Sequence, residues 1–424
     1  MHTLVRHNIA FCKLFVIAML ILACPVASAS AEWIVYYVNP DDQPGSGGDS
    51  TVGFLHAGYV RVGGACIGAE PHAALWHGTS DEWIDLHPQG AHYSYVNGTT
   101  GVHQAGSIST EPEWRYHAAL WSGSAASFVD LHPAGSSESN AYAIAGTQQV
   151  GAAHFNSPPR AALWEGTRES FVNLNPAGSE FSVALDTNGT QQVGYMLYDY
   201  LHGDSHAALW SGTAESFQDL HPADAVGDSI AVGISPGGNE VGGYVKVQVG
   251  EYQDYHAALW RNDSDNWIDL NPPGAIFSSV RDTDGKHQVG QAYASDGVYY
   301  TYRAYFWEGS VETCVDLHAL LPQQYTESEA ESVYTDGAGV WIFGYSHRTV
   351  VQCNRAILWH RPHELPGDLD FNGSVDITDL ATLLSAYGAC AGDPDFNPLA
   401  DIQSSGCIDL ADLASLLGNY GAGR

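Results

Sequence analysis

Apolar runs of four to six residues, separated by Gly, Pro, Asn and Ser, follow one another from residue 33 to residue 359. Runs of that length bounded by turn residues predict β-strands. About 45 residues hold four such runs, and no stretch of this region carries a helical period. The segment Asp186-Thr187-Asn188-Gly189-Thr190 lies between two runs and predicts a hairpin turn. Beyond residue 366 the period changes. Leu380, Leu383, Leu384 and Tyr387 fall at i, i+3, i+4 and i+7, and Leu413, Leu416, Leu417 and Tyr420 repeat the spacing. That pattern predicts an apolar helical face in each segment.

The strand region is internally repeated. HAALW occurs at 72–76, 117–121, 206–210 and 256–260, with Arg-led variants at 160–164, 303–307 and 355–359. Successive Trp residues stand 45, 43, 46, 50, 47 and 52 positions apart. Ahead of each lies an apolar-Gly step: Ala57-Gly58, Ala105-Gly106, Val150-Gly151, Val193-Gly194, Val241-Gly242, Val289-Gly290 and Phe343-Gly344. An aromatic and then DLHP or a variant follow, as in Trp83-Ile84-Asp85-Leu86-His87-Pro88. Four strands per unit and seven units predict an all-β seven-bladed β-propeller. The last unit lacks its fourth strand after Trp359. Residues 32–40 match the missing piece with a two-residue insertion, so the N-terminal segment is expected to complete the last blade. The repeat resembles the extracellular HAF repeat family over residues 32–359, which implies a propeller and almost nothing about activity.

Residues recurring in most units are expected to be scaffold. The His or Arg opening each HAALW strand (His72, Arg160, Arg303) faces an Asp one strand away (Asp85, Asp130, Asp219, Asp269, Asp316), a donor opposite an acceptor. A second series, His87, His132, Asn175, His221, Asn271, His318 and Asn39, sits on turns before Pro or similar residues. Capping of the turn is expected there, against the alternative of a metal or anion ring at a channel mouth. The Trp series is expected to fill the space between blades.

Residues 367–424 carry nine Asp, no Glu and one Arg, and repeat at a spacing of 33. A calcium loop takes oxygen ligands at positions 1, 3, 5, 7, 9 and 12, with Gly at 6. Asp368, Asp370, Asn372, the Ser374 carbonyl, Asp376 and Asp379 fill the first loop around Gly373. The second is weaker, offering Asp401, Gln403, Ser405, the Cys407 carbonyl, Asp409 and Asp412. Cys390 and Cys407 lie between the first helix and the second loop and are expected to be bonded. These paired loop–helix units, with Asp at position 12, resemble a dockerin, a small all-α calcium-binding domain. The resemblance implies calcium as cofactor and a cohesin-like partner through Ile377-Thr378 and Leu410-Ala411. A terminal anchor with another surface receptor is the alternative.

Charge and the termini refine this picture. The chain holds 15 Lys and Arg against 48 Asp and Glu, a formal charge of −33. So negative a surface disfavours nucleic acid and anionic lipid. Arg6 and Lys13 precede an apolar run too short to span a bilayer, followed by small residues, which predicts a signal peptide over 1–31 and a secreted protein. A surface lipoprotein through Cys24 is the alternative. No later segment is expected to cross a membrane. The expected domains are therefore the signal peptide at 1–31, the propeller at 32–359, a linker at 360–366 and the calcium module at 367–424. The pairing of Cys66, Cys314 and Cys353 stays open. No nucleophile elbow, metalloprotease helix or phosphate loop is present. A non-catalytic propeller binding an extracellular glycan or protein is expected, with a carbohydrate-active enzyme as the alternative. Tyr198, Tyr200, Tyr252 and Tyr299 lie in the variable segments before HAALW and are the candidate ligand contacts, because flat aromatics with a polar edge suit stacking on sugars.

Overall fold

The computed structural model describes residues 33–423, apart from 42, 53–54, 64–67, 111–114, 156–157, 262–266, 296–299, 349–352, 364 and 371–373. The expected leader, Cys24, Cys66, Tyr299 and Asn372 lie outside the described residues.

The described chain is mostly β-strand. Each repeat forms four antiparallel strands, as in Tyr93–Thr99, Gln104–Thr110, Arg115–Trp121 and Val129–Asp130. Two neighbouring units merge into an eight-stranded sheet through the parallel pair Tyr255–Phe277. The last unit breaks chain order. Its strands Tyr325–Asp336, Gly339–Arg348 and Asn354–Pro362 are joined by Ile34–Tyr37, with Ile34 opposite His360 and Tyr37 opposite Ile357. Asn354–Pro362 also runs past Trp359, so residues 360–362 of the expected linker are strand. The stack of His360 on Trp341, with ring centroids 3.6 Å apart, holds that extension.

The apolar-Gly step has a steric cause. The innermost strand of each unit carries a bulge, and the glycine lies across from it: Gly106 pairs with Val96, ahead of the shift to Gly98. A Cβ on Gly106 would collide with Tyr95 O, and one on Gly194 with Val183 O. In the fifth unit the role falls to Gly243 rather than Gly242, since Gly243 pairs with Ala231 at the bulge and faces Ile230 O. Bulges re-aim side chains, and in each unit the extra residue of the bulge opposite the glycine is the third after a recurring serine.

That serine ties neighbouring sheets together. Ser94 Oγ accepts from Ala73 N at 2.8 Å and lies 2.8 Å from His87 Nδ1. Ser182 Oγ accepts from Ala161 N at 2.9 Å and donates to Asn175 Oδ1 at 2.7 Å. The same relay spans the chain's two ends: Ala356 N donates to Ser46 Oγ at 3.0 Å, which donates to Asn39 Oδ1 at 2.7 Å. Apolar clusters fill the spaces between sheets, each with a HAALW Trp or its counterpart. One of them joins the first unit (Val60, Trp76) to the last (Phe343, Leu358), with Val38 between.

The C-terminal region forms helix α1 (Ile377–Ser385) and helix α2 (Leu410–Gly418), capped by Asp376 and Asp409. Each loop is closed by the chain that leaves the other helix: Val375 N donates to Ala422 O at 2.9 Å and Ile408 N to Ala389 O at 2.9 Å. Leu369, Val375, Leu383, Ile408 and Leu416 make its core. Cys390 and Cys407 are disulfide-bonded. Cys314 and Cys353 are each engaged in a disulfide as well.

Candidate functional site

The two calcium-type loops differ in what their side chains do. In the first, oxygens of Asp368, Asp370 and Asp379 lie within 4.8 Å of one another. Asp379 is oriented by Leu369 N at 2.7 Å and Asp376 N at 2.8 Å. Converging carboxylate oxygens are the donor set a hard cation such as calcium takes. In the second loop no such convergence occurs among the described residues. Asp401 accepts from Ser405 N and Gly406 N at 2.8 and 2.7 Å. Gln403 Nε2 turns to Ser415 Oγ at 2.5 Å, and Ser405 Oγ donates to Cys407 O at 2.9 Å.

The second loop instead touches the strand region. Ser404 Oγ donates to Asp336 Oδ2 at 2.7 Å, while Asp336 Oδ1 accepts from Trp341 Nε1 at 3.0 Å and Ala338 N at 2.9 Å. Gly337 N donates to Pro398 O at 3.1 Å. Ser404 alone among the described non-glycine residues has a left-handed backbone, with φ +50°. Burial first, and the nearby Asp401 charge after it, push the Asp336 carboxyl up to about 7 against the pull of its hydrogen bonds.

Each helix leaves an apolar stripe in solvent. Ile377, Leu384 and Tyr387 are exposed on α1 and just past its end, and Leu410, Leu417 and Tyr420 occupy the equivalent places at α2. The stripes match residue for residue at the spacing of 33.

The bulges build a second site. The residues that they turn inward, Asp49, Asn97, Tyr142, Leu185, Val232, Arg281 and Glu331, line one cavity of about 210 Å³ together with Asp186, Asp282 and their neighbours. Arg281 reaches Glu329 at 3.5 Å and Glu331 at 3.8 Å. Asp186 Oδ2 accepts from Ile234 N at 2.8 Å, and Asp282 Oδ2 from Val333 N and Ser332 Oγ at 2.9 Å each. These two carboxylates therefore staple one inner strand to the next. Burial raises both, Asp186 to about 8 with the Asp282 charge adding to it, and Asp282 to about 6. Burial and then Glu331 raise Glu329 to about 7, against Arg281. Asp49 Oδ2 is shut off from solvent with no hydrogen-bond partner. Burial and then Glu331 hold its carboxyl well above the ordinary range.

The recurring polar series are committed elsewhere. His72, His206 and His256 place Nδ1 within 2.7–2.9 Å of Asp85, Asp219 and Asp269. Arg303 reaches Asp316 at 2.8 Å, whereas Arg160 bonds Ser179 O at 2.9 Å because its unit has Asn173 in place of Asp. The turn series pairs with the relay serines. Among the candidate tyrosines, Tyr200 lies parallel to Phe181 with centroids at 5.5 Å, Tyr198 stands edge-on to His206 at 5.7 Å, and Tyr252 is 76% exposed at a hairpin end. No ring contact among the described residues joins the three.

No protein-family model matches this chain, and no curated protein does. Solved structures do. The β-propeller domain of the Trilobed protease from Pyrococcus furiosus, described as having an open velcro topology, aligns with a TM-score of 0.50 at 8% identity, over 77% of this chain and 95% of that one. The polysaccharide lyase Uly1 aligns at 0.47 and 9% identity, over 74% and 90%. An acylaminoacyl peptidase from Pyrococcus horikoshii aligns at 0.46 and 8%, over 79% of this chain and 55% of that one. At such identities the likeness is one of fold: the strand region is a β-propeller.

Proposed function

We propose that this is a secreted, non-catalytic propeller of seven HAF-like blades that binds or displays an extracellular glycan or protein and is anchored by a calcium-dependent, dockerin-like module. The carrying observation is the convergence of Asp368, Asp370 and Asp379 at the start of a helix whose exposed apolar stripe is duplicated on its partner. Calcium held by the first loop would neutralise three carboxylates and fix the entry to α1. The matched stripes of Ile377, Leu384, Leu410 and Leu417 would then offer a cohesin-like receptor two equivalent faces. Seven blades closed by residues 34–37 are supported by the Asn39–Ser46–Ala356 relay, which repeats at the chain's ends the bonds made between neighbouring units. The test is capture of a cohesin panel, or of the producing cell's surface proteins, by the full chain. Capture should need calcium, stop on chelation and fall at least tenfold in the double variant Ile377→Asp/Leu410→Asp. Capture indifferent to calcium sinks the reading.

The axial carboxylates favour one other reading, a carbohydrate-active enzyme, since glycoside cleavage commonly uses a raised carboxylic acid beside a second carboxylate. Product released from a polysaccharide by the wild type, and lost in Glu331→Gln, would establish it over the first.

A further inference from the structure

We propose that the C-terminal module is a strap across the closure of the propeller. It grips the last unit at one end and the second unit at the other, and so holds shut the seam between the last unit and the first. This role goes beyond anchoring and needs no partner on the apolar stripes.

The chain leaves the propeller pinned. His363 N donates to Ala338 O at 3.1 Å, and His363 Nε2 bonds Asp336 O at 2.7 Å. Asn419 Nδ2, just past α2, donates to Pro366 O at 2.8 Å. Ties at both ends leave no swinging linker. The first grip is on the hairpin between Tyr325–Asp336 and Gly339–Arg348, in the last unit. Ser404 Oγ donates to Asp336 Oδ2 at 2.7 Å and Gly337 N to Pro398 O at 3.1 Å. Asp336, Ala400, Ile402 and Ser404 are all buried there. A Cβ on Gly337 would press on Leu399 O and Ile402, so the two surfaces meet without a gap.

The second grip is on another unit. Gly101 and Val102 turn the hairpin between Tyr93–Thr99 and Gln104–Thr110. A Cβ on Gly101 would lie 3.7 Å from Ala391 Cβ, and one on Gly392 would lie 3.0 Å from Val102 Cγ2. The Gly101 position also borders the first unit, 3.9 Å from Val52 Cγ1. Bonds run through all three units at this level: Thr51 N donates to Ser332 Oγ and Thr99 N to Ser50 Oγ, each at 3.2 Å. The gripped hairpins therefore flank the first unit, and the seam lies between them.

Inside the module the grips are cross-linked. Ala391 and Gly392 follow Cys390, and Ser404 lies just before Cys407. Cys390 and Cys407 are disulfide-bonded, and Ala391 N donates to Gly406 O at 2.7 Å. A brace that is stiff between its ends adds its contacts to those of the seam, and repeat arrays draw their stability from contacts between units. Ile377, Leu384, Leu410 and Leu417 remain exposed beside it, so a partner on the stripes does not compete with the strap.

The test uses tryptophan emission. All twelve Trp lie between residues 33 and 359, so their emission follows the propeller and not the module. In thermal melts of the full chain with calcium present, Leu383→Asp/Leu416→Asp puts two charges into the module's core and touches neither hairpin. It should lower the tryptophan transition by roughly 3 °C or more. Cys390→Ser/Cys407→Ser, which uncouples the grips but keeps that core, should lower it as well. Val102→Asp should lower the transition in the wild type and have no further effect in Leu383→Asp/Leu416→Asp, because a strap already lost cannot be lost twice. The proposal is overturned if the tryptophan transition is unmoved in Leu383→Asp/Leu416→Asp, or if Val102→Asp lowers it equally in both backgrounds.

Discussion

Asp336 shows how one buried carboxylate couples two parts of the chain. Its oxygens accept from Trp341, Ala338 and Ser404, and its carboxyl is raised to about 7, chiefly by burial. In the unfolded chain it would titrate near 4. The native state thus holds a proton between about pH 4 and about pH 7 that the unfolded chain has released. Stability from this group is greatest at the acid end, falls as pH rises through that window and is level above it, a loss of up to ~4 kcal/mol. Asn at 336 keeps an acceptor for Trp341 and turns an amide toward Ser404, whose hydroxyl can accept. Asp336→Asn should therefore match the wild type near pH 4.5 and exceed it at pH 8 in denaturant midpoint. Other raised carboxylates titrate in the same window, so the difference between the two proteins is the quantity to read; equal slopes from pH 4.5 to 8 would remove Asp336 from the account. The residue itself was not legible in the sequence, because an Asp before Gly reads as an ordinary turn. The glycines were legible as a repeat but not as a mechanism. Only the bulge explains why Gly194 cannot carry a Cβ, and Gly194→Ala should cost ~3 kcal/mol in the same denaturation assay.

At the level of elements, periodicity carried most of what the sequence revealed. The seven Trp, six of the seven Gly steps and the pairing of Ile34–Tyr37 with Asn354–Pro362 follow from matching one unit against another, while in the fifth unit the glycine opposite the bulge is Gly243, one position on from the expected Gly242. The axial lining escaped for the same reason. Asp49, Asn97, Tyr142, Leu185, Val232, Arg281 and Glu331 share no chemistry, so a search for recurrence passes over them. The available signal was positional: each is the third residue after the serine of the relay. The seam offers a direct test of how far contacts between units hold the array together. Removing residues 32–40 deletes Val38 from the cluster between first and last units and leaves Ser46 without Asn39. Neighbour contacts dominate stability in repeat arrays. The truncated chain should melt roughly 5–10 °C lower, in one transition that includes the other units. An unchanged melting temperature would mean that the seam contributes nothing.

For the whole molecule, the two halves of the C-terminal repeat have parted in role. Sequence alone gave both loops the same six positions, with the second weaker at Gln403 and Ser405. Packing turns that weakness into a different use. Gln403 is bonded to α2, Asp401 to the amides of its own loop, and Ser404 crosses to the propeller hairpin at Asp336. Gly337 abuts the same segment, since a Cβ there would press on Leu399 O and Ile402. The second loop thus fastens the module to the propeller, while in the first loop the oxygens of Asp368, Asp370 and Asp379 lie within 4.8 Å of one another. A bound cation stabilises only the state that holds the site, so its effect should be confined to variants of the first loop. Calorimetric titration of the full chain should give one calcium per molecule. Asp368→Asn should weaken that binding by at least tenfold, because it removes a charged ligand from the converging set. Asp401→Asn should leave the stoichiometry at one and the affinity within about twofold, while exposing the contact with the propeller to proteolysis near residues 398–406. Two calcium ions per chain, or loss of the first on changing Asp401, would show that the second loop is a metal site after all and that its bonds to Ser415 and Asp336 give way when the ion arrives.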